Sequence, residues 1–396
     1  MKTILILGAG TAGTLMANSL SQRLNLEQWN ITILDEHPIH YYQPGFLFLP
    51  FGIFSQNDVI QPRRRFLPNG VHYLEAEIDR VQAEKNRVLL KSGEQLGYDI
   101  LIIATGAKIA PEQTQGMLGN DWRTRVFDFY TFEGASALNG ALRNWDGGRL
   151  VVQITEMPVK CPVAPLEFAF LADSWLKDRR LRHKTEIVYL TPLSNPYIKP
   201  VAADVLGQVL KEKRVKVVTD FHVDHIDNEQ HAIVCRQGDK VDYDLLVTVP
   251  INTGDVAMGR SGLANELHFV ATDPDTLQSK QYPNIFVLGD ATDLPSPKSS
   301  LVARSQAGVL TENVVNYMNG DPLESQLCGA GEGDRPMPPA SDFSGKSERN
   351  QKKYRLPVLG PFLAEPPSDQ FRELAVRWIY GTNSQKLWRY RELAIS

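Results

Sequence analysis

Ile4-Leu5-Ile6-Leu7 runs into Gly8-Ala9-Gly10-Thr11-Ala12-Gly13 and then into a helix-like stretch reaching Leu24. A second strand-like run, Asn30 to Leu34, ends in Asp35, about 20 residues after the last glycine. This strand, glycine turn, helix and acid-closed strand constrain the chain more than any other feature. Gly8, Gly10 and Gly13 let the backbone turn tightly, approach a pyrophosphate and pack helix against strand. The helix N-terminus attracts phosphate charge, and the acid accepts from ribose hydroxyls. A dinucleotide-binding parallel α/β unit is therefore expected from the first residues onward.

A chain of 396 residues exceeds one simple core, so two or three domains are expected. A hydrophobic share of 42%, a charged share of 22% and a net charge of -4 describe a globular protein with no global attraction to nucleic acid. Three cysteines are too few for a disulfide framework and leave room for one functional dithiol and one bystander. The first apolar run is broken by Gly8, so no signal peptide is expected, and no run approaches the ~18 apolar residues of a membrane span. Membrane contact would then be peripheral.

Tyr98 to Ile103 reads as a buried strand ending in Ala104-Thr105-Gly106, and Asn284 to Leu288 as another ending in Gly289-Asp290. With the glycine turn, these resemble the two-dinucleotide flavoprotein oxidoreductases, which implies FAD at the first site. The resemblance places Gly8, Gly10, Gly13, Asp35, Pro44, Thr105, Gly106, Gly289, Asp290 and Lys298 around that cofactor. Asp290 would bond the ribityl chain and flavin phosphate. Lys298, in Pro297-Lys298-Ser299 before a helix from about Leu301 to Met318, would stabilise anionic charge at the pyrimidine end of the ring.

Such flavoproteins carry a second nucleotide domain for a nicotinamide, with its own glycine turn after its first strand. Here that strand, Arg149 to Ile154, is followed by Met157-Pro158-Val159-Lys160-Cys161-Pro162, and no glycine occurs from Gln153 to Leu206. Without glycine the backbone does not readily admit a pyrophosphate, which disfavours a nicotinamide reductant. Cys161 instead lies between a strand and a helix-like run from Leu166 to Leu176, where a helix N-terminus and Lys160 favour a thiolate. Glu167 is the acid/base candidate beside it, with helix-dipole stabilisation as the alternative role. The same domain is expected to hold strands over Glu186 to Leu190 and Lys216 to Val218 and a helix over Ala202 to Lys213. A hairpin is expected from Ala232 to Arg236 and Val241 to Val249, with Cys235 as a strand residue without chemistry.

His40-Tyr41-Tyr42-Gln43-Pro44-Gly45, Lys160 to Glu167, Pro297-Lys298-Ser299 and Arg377-Trp378-Ile379-Tyr380 together resemble the sulfide:quinone oxidoreductases over nearly the whole chain. The resemblance implies two Rossmann-like domains, the FAD domain discontinuous, and a C-terminal amphipathic membrane and quinone segment. The expected divisions are 1–115 and 270–328 for FAD, 116–269 for the thiol-bearing domain, and 329–396 for linker and tail. It further implies that hydrosulfide attacks a Cys161–Cys328 disulfide to leave a persulfide and a thiolate, and that two electrons pass through FAD to a quinone. Phe362, Trp378 and Tyr380 are the implied quinone contacts, with Phe46 to Phe51 as a second candidate wall and ordinary core as the alternative reading of that run. No cysteine precedes Cys161, so only a two-cysteine mechanism is open to the chain, and Gly329 to Gly333 is softer than the strand the family places after its second cysteine. The partners expected are sulfide, quinone, a small-molecule sulfur acceptor and a membrane surface on the cytoplasmic face, with self-association open and no metal. A type II NADH:quinone oxidoreductase and a non-catalytic flavin-binding sulfide sensor are the rival readings.

Overall fold

The computed structural model describes residues 1–198 and 200–324 of the chain. Two five-stranded parallel sheets carry it. The first runs Ile285–Val287, Ile100–Ile103, Lys2–Leu7, Trp29–Asp35, Val71–Glu75 across its width. The apolar runs are uninterrupted because both faces are covered. Ile4, Ile6, Ile31, Ile33 and Ile102 meet Met16, Ala17 and Leu20 of the helix Thr11–Arg23 and Leu310 and Val314 of the helix Ser300–Asn319. Leu5, Leu7, Leu34, Leu101 and Ile103 pack on the opposite face against Val81, Val88 and Met258.

The second sheet runs Val126–Phe127, Leu245–Val249, Gly148–Ile154, Thr185–Leu190, Val215–Val218. Leu150, Val152, Tyr189 and Val247 face the helices Phe132–Arg143, Ala164–Asp178 and Pro200–Glu212. Val151, Val188, Leu190 and Leu246 face a three-stranded antiparallel sheet of Val223–Asp227, Ala232–Cys235 and Lys240–Asp242. The run from Val241 to Val249 is therefore not one hairpin arm. It breaks at Tyr243 and Asp244, where its first part ends the antiparallel sheet and its second enters the parallel one. Leu245 to Val249 is buried throughout, which suits a central parallel strand.

The chain crosses between the units twice, and the crossings pair: Lys108–Ile109 runs antiparallel to Asn252–Thr253. Ala257, Met258 and Leu263 already pack in the first unit's core. Packing thus draws the return to that unit before residue 256, ahead of the expected 270.

Ligands of open parallel sheets bind beyond the carboxyl ends of the strands, where the order of connection reverses. In the first sheet that point lies between Lys2–Leu7 and Ile100–Ile103, and in the second between Gly148–Ile154 and Leu245–Val249. The glycine turn and Thr105-Gly106 follow the first pair of strands, and the Cys161 loop follows Gly148–Ile154. Among the described residues no helix is long and apolar enough to cross a membrane.

Candidate functional site

Contacts at the first reversal point fix each glycine's role. Gly8 is left-handed, with φ 93°, and a Cβ there would lie 2.5 Å from the carbonyl oxygen of Ala104. A Cβ on Gly13 would lie 1.9 Å from the carbonyl oxygen of Gly8. Gly10 differs: a Cβ there would meet nothing within 4 Å, so this position is not fixed by packing. Gly10 is also the N-cap of Thr11–Arg23, and no side chain caps that end. The helix therefore presents backbone N–H groups to an anion.

Asp35 is more heavily used than its sequence position suggests. One carboxylate oxygen accepts from the Ala9 N–H at 2.7 Å, and the other from the His37 N–H at 3.2 Å and from Arg63 at 3.0 Å. The buried Arg63 guanidinium also donates to the carbonyls of Ala9, His37 and Ile39. Asp35 thus braces the glycine turn, while spare lone pairs leave it able to accept a ribose hydroxyl. Beside this brace, burial pushes the His40 imidazole pKa down to about 4, with the Arg63 charge adding to it.

Across the crevice, Gly106 and Gly289 are left-handed, with φ 71° and 70°. The Gly289 N–H donates to the buried Gln306 side chain at 2.7 Å, and a Cβ there would come within 3.2 Å of the Ala12 Cβ. The Gly-Asp turn is therefore seated against the glycine turn. Thr105 Oγ1 is buried with no hydrogen-bond partner among the described residues. Such an atom costs about 1–3 kcal/mol unless a ligand satisfies it. Together with the open face of Gly10, it makes this crevice fit a dinucleotide. Pro44 is exposed at the start of a short 3-10 helix, Gln43–Leu47.

Cys161 takes the left-handed position at the second reversal point, with φ 44°, a conformation glycine would normally supply. Its N–H donates to the Lys298 carbonyl at 2.7 Å, and its own carbonyl accepts from the Ala164 N–H at 2.9 Å and the Tyr130 hydroxyl at 3.2 Å. The helix Ala164–Asp178 begins just beyond, with Glu167 buried in its first turn. Tyr130 and Tyr197 are buried here as well. Burial pushes the Tyr130 phenol far up, and the charges of Cys161, Tyr189 and Glu167 add to it; burial, Cys161 and Glu167 push Tyr197 up to about 12. Both phenols therefore stay neutral at any working pH.

Two buried lysines link this loop to the first unit. The Lys160 N–H donates to Asn252 Oδ1 at 2.9 Å, and its Nζ donates to Gln43 Oε1 at 3.3 Å. Burial lowers the Lys160 pKa, while Asp290, Asp128 and Cys161 oppose that. Lys298 pairs with Lys160 as a parallel β-bridge. Its Nζ donates to the carbonyls of Asp290 at 3.1 Å and Thr292 at 2.8 Å and stands 3.9 Å over the Phe269 ring. Burial raises the Asp290 pKa against the pull of Lys160 and Lys298, and it pushes Lys298 down to about 8.

The structure thus brings Cys161, Glu167, Lys160, Lys298 and Asp290 to one crevice between the units. Cys328, Phe362, Trp378 and Tyr380 lie outside the described residues. In the second candidate wall, Phe46, Leu47, Leu49 and Phe51 are core residues, the alternative reading of that run, with Phe51 4.9 Å from the Phe168 ring. Cys235 ends the strand Ala232–Cys235, as expected, and is 4% exposed in the core under the antiparallel sheet. Sequence reasoning missed Arg63, Gln306, Tyr130, Tyr197 and Asn252. Tyr130, Tyr197 and Asn252 lie a few residues past strand ends of the second sheet, and that position was the available signal.

The family model for pyridine nucleotide-disulphide oxidoreductases matches residues 2–152. The mitochondrial sulfide:quinone oxidoreductase of Dictyostelium discoideum is 28% identical over 331 residues, covering 82% of this chain and 73% of that protein. That of Mus musculus is 27% identical over 322 residues, with 80% and 71% covered. The fold resembles the sulfide:quinone oxidoreductase of Aquifex aeolicus with a TM-score of 0.71 at 21% identity, covering 81% of this chain and 78% of that one.

Proposed function

We propose that this chain is an FAD-dependent sulfide:quinone oxidoreductase whose sulfide-side centre is Cys161. One observation carries the reading: at the reversal point where a nicotinamide would bind, a left-handed cysteine replaces a glycine turn and is bonded through its backbone to Lys298. The length of the similarity to sulfide:quinone oxidoreductases supports it.

FAD would lie along the first crevice, its pyrophosphate at Gly8, Gly10 and the N–H groups of Thr11–Arg23, with Thr105, Gly106, Gly289 and Asp290 facing it. When bound, it supplies a two-electron acceptor on the thiol side and a donor to quinone. The protein's own residues run the sulfur chemistry. Hydrosulfide attacks the Cys161–Cys328 disulfide, leaving a persulfide on one sulfur and a thiolate on the other. A second nucleophilic sulfur species removes the sulfane sulfur, and two electrons leave the pair as the disulfide re-forms with loss of a proton. The start of Ala164–Asp178 and Lys160 stabilise anionic sulfur. Glu167 takes up the proton released from the sulfur species, while Tyr130 and Tyr197, held neutral, remain hydrogen-bond donors around it. Quinone is the electron acceptor, with Phe362, Trp378 and Tyr380 as its proposed contacts and a membrane surface as its source.

Anaerobic stopped-flow absorbance of the FAD-loaded protein tests this. Sulfide should bleach the flavin far faster than NADH does, and Cys161→Ala should abolish the sulfide phase while keeping FAD. A Cys161→Ala variant bleached by sulfide at the parent rate would end the proposal.

A further inference from the structure

Lys298 is bonded through its backbone to the thiol loop and through its side chain to the Gly-Asp turn. Its carbonyl accepts from the Cys161 N–H at 2.7 Å, and the bridge to Lys160 places the two loops side by side. Its Nζ, on a side chain 6% exposed, donates to the carbonyls of Asp290 and Thr292 and caps the buried Phe269 ring. Two of the three ammonium N–H groups are thereby spent on backbone oxygens of the turn. A lysine serving only as the charge partner of a ligand would aim those donors into the crevice.

We propose that Lys298 is a positioning residue, a strut that sets the distance between the Cys161 loop and the turn carrying Asp290. This rests on the reading of Cys161 as the sulfide-side centre. Transfer of electrons from the cysteine pair to a flavin seated at that turn would slow with any separation or reorientation of the thiol. The strut therefore adjusts how fast electrons leave the cysteine pair, without touching sulfide itself. The side chain crosses from a helix start to the preceding turn, and its ammonium stands over the Phe269 ring. Methionine would keep the apolar stem and delete both bonds.

The test compares parent and Lys298→Met full-length protein by hydrogen exchange of the Cys161 amide, without and with FAD. Losing charge-assisted bonds to two carbonyls should accelerate that exchange about tenfold or more, because the acceptor carbonyl is no longer held. In the FAD-loaded variant, the limiting rate of flavin bleaching by sulfide should fall about tenfold, with the half-saturating sulfide concentration unchanged. Unchanged exchange at Cys161 would overturn the strut. So would weakened FAD binding with a normal bleaching rate at full occupancy, which would make Lys298 a cofactor-charge residue instead. If Lys298→Met does not fold, Lys298→Gln, whose shorter neutral amide reaches the turn with weaker N–H donors, should show an intermediate exchange rate, and a parent-like rate would overturn the proposal equally. Amide exchange does not depend on turnover. Failure of the sulfide reading would therefore appear in Cys161→Ala kinetics and leave the strut measurement intact.

Discussion

Gly10 and Gly13 stand three residues apart in one turn, yet alanine should affect them in opposite ways. At Gly13 the new Cβ would be 1.9 Å from the Gly8 oxygen, 3.1 Å from the Gly8 carbonyl carbon and 3.3 Å from Ile6 Cγ2. Two of these atoms are backbone and cannot swing aside. The helix Thr11–Arg23 would have to withdraw from its strand by more than an ångström, loosening Met16, Ala17 and Leu20, each 0% exposed. Overpacking of this kind costs about 3 kcal/mol, a fall in melting temperature of roughly 4 °C for a chain of this length. At Gly10 the Cβ would meet nothing, and its φ of -70° suits alanine. Gly10→Ala should leave apoprotein stability within about 0.5 kcal/mol of the parent. Its methyl projects where a pyrophosphate must approach, so FAD affinity should fall at least about tenfold. Thermal melts of the apoproteins and quenching of flavin fluorescence on titration separate the two effects. Tight FAD binding by Gly10→Ala, or a Gly13→Ala protein as stable as the parent, would refute the geometry assigned to the turn.

Two further perturbations test the frame of the site. His40 titrates near 4 in the fold against an ordinary 6.5, so between those values the unfolded chain binds the extra proton. Apoprotein stability should be fully present above pH 6.5 and fall by about 3 kcal/mol as pH drops toward 4. His40→Phe, which keeps the ring against Phe66 (4.6 Å between centroids), should flatten that part of a urea-midpoint profile. An unchanged slope would contradict it. Asp173 is fully buried among Lys177 at 2.7 Å, Arg182 at 2.8 Å and Lys213 at 3.1 Å. Burial alone would raise its pKa, but bonds from Lys177, Arg182 and Lys213 outweigh that and hold it low. Its contribution is thus present above the usual aspartate range and lost as pH falls below it, and Asp173→Asn should cost about 3 kcal/mol in chemical denaturation at neutral pH.

Most of the fold was legible in the chain because its determinants are local. Glycine spacing, helix starts and apolar runs are set within a few residues, and Ile4 to Leu7, Ala164 to Asp178 and Ser300 to Asn319 formed close to where their patterns put them. The boundary errors have a tertiary cause. Val241 to Val249 is nearly continuous in pattern, and only the competition of two sheets for its halves splits it.

The site divides in the same way. Residue type and order alone selected Cys161, Gly8, Gly10 and Gly13, because a thiol in a glycine-free turn and a glycine fingerprint are chemical statements independent of long-range contact, and the resemblance to two-dinucleotide flavoproteins added Thr105 and Asp290. The partners of those residues could not be chosen so. Tyr130 reaches the Cys161 carbonyl from 31 residues away, and Arg63 grips Asp35 from 28. The Cys161 N–H finds the carbonyl of Lys298 from the other unit, and that lysine's side chain donates to the carbonyls of Asp290 and Thr292. A hydrogen bond across such separations depends on which strand ends the sheets bring together. Sequence therefore named the candidate groups, and the folded sheets decided what holds them.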